Sequence, residues 1–150
     1  MSEETAGLHA LPQVKEWVDG WGSFDHGSFV LVNTTVAEAV VLADILWPRF
    51  VEYRGGVFLG FRFDAEGVDT WLAELDGDVP RVESMINHLH LWDIMNPAGD
   101  AEYVALSALA PRIAEAWRAA LLLRLPDRDF VVTVADDPED YGPTLYLASA

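Results

Sequence analysis

Glu83, Asn87 and His90 place a carboxylate, an amide and an imidazole at i, i+4 and i+7, with Asp93 three residues beyond His90. On a helix this spacing puts all three on one face. Such a set has two uses. It can hold a substrate or run acid–base chemistry, since histidine is the side chain that titrates near neutral pH. It can equally form a hydrogen-bonded polar seam that fixes helix packing, because buried polar groups need partners. Both readings stay open from sequence.

His88-Leu89-His90 invites a metal reading. Helical zinc ligands sit at i and i+4, whereas residues two apart point about 200° from each other. The spacing of Val82, Ile86 and Leu89 is helical, so no metal site is expected there. The run Asp136-Asp137-Pro138-Glu139-Asp140 lacks the alternating ligands and distal Glu of a calcium loop and reads as a solvated turn. Its carboxylates Asp136, Asp137, Glu139 and Asp140 are candidates for contacting a basic partner. There is no G-x-S-x-G, Walker A or G-x-G-x-x-G sequence, so no cofactor and no catalytic residue is assigned.

Glu52 is a fourth candidate for a ligand site. Arg49–Arg54 and Val57–Phe63 read as strands around Gly55-Gly56, a two-residue hairpin signal. That turn opposes Arg54 to Val57, Glu52 to Leu59 and Phe50 to Phe61, and alternation puts those six on one face. Val51, Tyr53 and Phe58 take the other. Both faces are apolar enough to need cover, by helices on both sides or by a partner. Glu52 then stands among apolar neighbours, where burial raises a carboxylate's pKa unless a cation is near; the alternative is a Glu52–Arg54 pair at the sheet margin.

The elements that would position these groups follow from periodicity and punctuation. Residues 1–11 read as a loose tail and Val14–Trp17 as a short helix ended by Asp19-Gly20. Trp17 and Trp21 flank that break and, if exposed, resemble interface anchors. Phe29–Val32 reads as a buried strand. Asn33, Thr34 and Thr35 offer caps to a helix reaching about Leu46, with Glu38 in its first turns and Pro48 closing it. Asp64 caps a helix in which Val68, Trp71, Leu72 and Leu75 form one apolar stripe. Another helix starts at Asp78 or Val79, with Pro80 in its first turn, and reaches Leu91 or Trp92. Asp100 caps a further helical region in which Pro111 marks a kink or a new start. Phe130–Val134 and Thr144–Leu147 are the last strands. Hairpin strands with helices grouped between them favour a single α+β domain of about five strands and four or five helices over a doubly wound parallel sheet.

Composition limits the functions available. The 150 residues hold 25 Asp+Glu against 9 Lys+Arg, a formal charge of −16, with 51% hydrophobic residues, six Trp and no cysteine. Disulfide scaffolds, thiolate metal sites and cysteine nucleophiles are excluded, and the negative field opposes phosphate-backbone binding. No apolar run approaches the roughly 20 residues of a membrane span. The Met1-Ser2-Glu3-Glu4-Thr5 start lacks the basic and apolar regions of a secretory signal, so the cytoplasm is the expected compartment. High acidity by itself serves solubility; its functional alternative is electrostatic steering toward a basic protein.

The blocks Leu46-Trp47-Pro48-Arg49-Phe50-Val51-Glu52-Tyr53-Arg54-Gly55-Gly56-Val57-Phe58-Leu59 and Val82-Glu83-Ser84-Met85-Ile86-Asn87-His88-Leu89-His90-Leu91 resemble a set of small bacterial proteins with no assigned activity. The likeness spans about residues 36–95 and implies no fold, ligand or catalytic residue. In general profile alone, a small acidic α+β domain is similar to bacterial immunity proteins that neutralise toxins. The reading that follows is a non-catalytic protein-binding module, immunity-like, set against a small-molecule site or enzyme built on Glu83, Asn87, His90 and Glu52. A self-associating domain with an uncovered sheet face, hence a homodimer, is a third.

Overall fold

The computed structural model describes residues 7–150. Residues 1–6 of the expected tail lie outside them, and residues 7–11 hold a helical turn. Three helices follow: α1 (Pro12–Trp21), α2 (His26–Asn33) and α3 (Val36–Leu46). Helix α1 runs through Asp19-Gly20 and stops only at Gly22, whose φ of 85° is the left-handed conformation that ends a helix at little cost. Helix α2 replaces the strand expected at Phe29–Val32. A short apolar run fits either state, and the caps decide: the Asp25 side chain accepts from the Ser28 N–H at 2.8 Å, and Phe29 packs edge-on against Trp17. Thr35 caps α3, accepting from the Glu38 N–H at 3.1 Å.

The hairpin forms with a two-residue slip. Strands β1 (Phe50–Tyr53) and β2 (Gly56–Leu59) pair Phe50 with Leu59, Glu52 with Val57 and Tyr53 with Gly56. Arg54 and Gly55, with φ of 51° and 82°, make the turn. Gly56 is needed in the strand instead, because a Cβ there would lie 2.7 Å from the Phe58 ring. A slip of two keeps every side chain on its expected face.

Helices α4 (Ala65–Glu74) and α5 (Val79–Ile86) start at Asp64 and Asp78, whose carboxylates accept from the Gly67 and Arg81 N–H groups. Helix α5 ends five residues earlier than its apolar spacing predicts. Leu89 and His90 leave it as strand β3, and Leu91–Ile94 form the short helix α6. Helix α7 (Asp100–Arg124) follows, with Asp100 as its first residue after the Gly99 cap, and it continues unbroken through Pro111. Strands β4 (Phe130–Asp137) and β5 (Gly142–Ser149) complete an antiparallel sheet of order β3-β5-β4. The strand count of five matches expectation, but β3 takes the place of Phe29–Val32.

The result is an α+β fold with helices on both faces of β2. Val57 and Leu59 face the main core with Leu89, Leu91, Ile113, Trp117, Leu145 and Leu147. Phe58 faces a second cluster with Val68 and Val82, edged by Trp71, Leu72 and Ile86. Trp117 ties α7 to the end of α3 by donating from Nε1 to the Ile45 carbonyl at 2.9 Å. The rest of α2 and α3 is largely uncovered.

Candidate functional site

Glu83 and Asn87 come from the buried face of α5, one turn apart, and both are fully buried. Each reaches two sheets at once. The Asn87 amide accepts from the Leu59 N–H at 2.9 Å and donates to the carbonyls of Val57 (2.9 Å) and Leu147 (3.2 Å). Bonding to residues j−1 and j+1 of β2 is how a neighbouring strand residue would pair. Glu83 accepts from the Val57 N–H at 2.9 Å on one side and from the Ser149 N–H and hydroxyl, at 3.0 and 2.9 Å, on the other.

The reason for this arrangement lies in β3. It is two residues long and pairs only with Leu145 and Thr144. Beyond it the edge of β5 would leave the Leu147 carbonyl unpaired in the core and the Ser149 N–H unpaired at its margin. Unpaired buried backbone groups are costly, about 1–3 kcal/mol each. Side chains of α5 stand in for the missing strand and join the two sheets. The polar seam is therefore the role the geometry gives Glu83 and Asn87, neither of which has any surface open to solvent.

His90 does not share their face, because α5 has ended before it. Its half-buried ring shares a 2.8 Å hydrogen bond with Thr144 Oγ1 and lies 4.1 Å from the Tyr141 ring centroid, while Tyr141 donates to Asp93 at 2.7 Å. Burial and then the nearby His88 hold the imidazole below its ordinary pKa; Asp93 and Asp140 act in the opposite direction. His88 and His90 sit 4.9 Å apart ring to ring, on and beside a strand rather than a helix. Among the described residues no three His, Asp or Glu side chains gather as metal ligands would.

Glu52 is exposed, not enclosed. Arg54, its expected partner, bonds Asp69 at 2.8 Å, and Glu52 has only a 3.8 Å contact with Arg128. Glu52 does line an open cleft of about 440 Å³ with Arg49, Phe50, Arg124 and Leu125. Of the acidic four, Asp136 and Asp137 lie in β4 rather than in a loop, and Glu139 and Asp140 in the turn after it. All four are exposed, and none forms an ion pair among the described residues.

Sequence reasoning missed the most conspicuous surface feature, the bare apolar face of α2 and α3. Leu31 is 82% exposed and Val36 83%, with Val30, Val32, Val40, Val41 and Leu42 also uncovered. The available signal is an apolar run with no polar stripe opposite it, of which only Phe29–Val32 reads as buried, in a strand. Trp21 is exposed and stacks on Trp17 at 5.3 Å, so one of the two tryptophans keeps its anchor-like placement. No helix among the described residues is long and apolar enough to cross a membrane; α2 and α3 together reach that length only across a 116° bend. No protein-family model, curated protein or solved structure matches the chain.

Proposed function

We propose that the protein is a non-catalytic protein-binding module. The observation behind this reading is the uncovered apolar face of α2–α3, in a chain whose buried polar side chains Glu83 and Asn87 are engaged in holding its own sheets. A contiguous exposed apolar surface marks an interaction site more often than chance exposure, because it is unfavourable in water. A photo-reactive side chain at residue 40 tests this. Crosslinks to protein well above those from the same group at Glu115, on the exposed side of α7, are expected. Equal yields from the two positions overturn the reading.

A second surface favours a basic protein as one partner. Asp136, Asp137, Glu139 and Asp140 are exposed on one hairpin end and form no ion pair among the described residues, which is compatible with the immunity-like profile. Complementary charge there would steer association and weaken with salt. The alternative of a small-molecule site on Glu83, Asn87, His90 and Glu52 has less support, since Glu83 and Asn87 are fully buried while Glu52 is exposed in a cleft that none of the other three lines.

A further inference from the structure

We infer that a second copy of this chain covers the α2–α3 face, in a dimer that exchanges these helices; this rests on the protein-binding reading above. Helix α3 exposes Val36, Val40, Val41 and Leu42, and α2 exposes Val30, Leu31 and Val32, so the pair is bare on more than one side. A helix apolar around much of its circumference needs enclosure rather than a single flat contact. Reciprocal exchange supplies this, since each copy then lays its own helices on the other under one two-fold axis. The body also has uncovered apolar ground to receive them. Leu122 and Leu123 are each 71% exposed on α7, and Val131 is exposed on the edge strand β4. Leu122 lies one turn past Arg118, whose guanidinium reaches the Val132 carbonyl of β4.

Charge points to the same occupant. Between Lys15 and Arg49 there is no lysine or arginine, so the segment has nothing to offer anionic lipid or an acidic protein. From Gly27 to Leu46 its only charged side chains are Glu38 and Asp44. Two chains of −16 repel elsewhere, and this is the face on which they can meet. Area agrees as well. The accessible surface is 9355 Å², against about 7,600 Å² for a compact chain of 16.6 kDa. Residues 1–6 account for at most about 900 Å² of that surplus. Roughly 850 Å² remains, close to the ~800 Å² each partner buries in a standard interface.

Sedimentation velocity of the full chain from about 1 to about 100 µM tests the inference. The expected result is twice the chain mass, holding or tightening when salt is raised from ~50 to ~500 mM, because screening reduces the repulsion between like chains. Leu31→Glu with Val40→Glu, and separately Leu122→Glu, should weaken the dimer at least a hundredfold while circular dichroism stays unchanged, and the unfolding midpoint should lose its dependence on chain concentration. A wild-type chain at single-chain mass throughout overturns the inference, as does a dimer that survives both variants. If that monomer still crosslinks to other proteins from residue 40, the protein-binding reading stands and only the occupant is wrong. If it crosslinks to none, or only binds phosphatidylcholine–phosphatidylglycerol vesicles, both fall.

Discussion

The Glu83 carboxylate grips Ser149 twice, accepting its backbone N–H at 3.0 Å and its hydroxyl at 2.9 Å. A side chain buried in α5 thus holds the end of β5, and the same carboxylate receives the Val57 N–H of the other sheet.

Glu83→Gln turns one acceptor oxygen into a donor that faces donors on every side. A loss of about 1–3 kcal/mol is expected, read as a lower urea midpoint with unchanged m-value. Ser149→Ala removes one of the bonds and should cost about 1 kcal/mol. An unaltered midpoint for Glu83→Gln would show that the carboxylate is not holding the sheets together.

Asn87→Ala leaves the Leu59 N–H and the carbonyls of Val57 and Leu147 without their partner. Destabilisation of about 3 kcal/mol or more is expected, among the larger effects of a single substitution. Asn87→Asp keeps the acceptor but turns a carboxylate oxygen toward the Val57 and Leu147 carbonyls and buries its charge there, so at neutral pH it should cost at least as much as alanine.

Gly142→Ala should destabilise by about 1–3 kcal/mol. Gly142 has φ of 65°, and a Cβ there would sit 2.5 Å from the Trp92 ring. The measurement is thermal unfolding of the variant beside Gly99→Ala, which meets nothing within 4 Å and is expected to change the midpoint little.

His90 makes stability depend on pH in one direction. Its folded pKa lies below the ordinary 6.5, so the unfolded chain binds more protons in that range. The contribution is fully present above the unfolded pKa and is lost as pH falls below it through the folded value. Unfolding free energy should decline from pH 7 toward pH 5 more steeply for wild type than for His90→Gln. Identical slopes would remove His90 as the cause.

Neutralising Asp136, Asp137, Glu139 and Asp140 to their amides should leave stability within about 0.5 kcal/mol, since all four are exposed. Association with a basic protein partner should slow several-fold and lose much of its salt dependence. Stopped-flow rates at two ionic strengths read both quantities.

Most of what the sequence showed was local. The stripe Val68, Trp71, Leu72, Leu75, the caps at Thr35 and Asp64 and the helix start at Val79 formed as read, because each depends on residues within one or two turns. Glu83, Asn87 and His90 stood out as one set; Glu83 and Asn87 form the polar seam that was one of the two uses the spacing allowed, while His90 lies apart in β3. What escaped was set by distant partners. Leu89 and His90 have helical spacing, yet they pair with β5 more than fifty residues away. Phe29–Val32 is greasy enough for a buried strand, but this fold offers it no sheet neighbour, and Asp25 capping Ser28 settles it as helix. Hydrophobicity alone does not tell burial within a chain from burial between chains.

Strand β5 has a kinetic consequence. It is the central strand of its sheet, and its only nearby partner along the chain is β4. Its other contacts, from Asn87 to Leu147 and Glu83 to Ser149, close loops of 60 and 66 residues. Such closures carry an entropic cost before any packing compensates. Although helices dominate the chain, refolding should therefore be slower than that of a helical bundle. The β4–β5 hairpin is the natural place for it to nucleate, and docking of α5 onto that hairpin is the natural barrier.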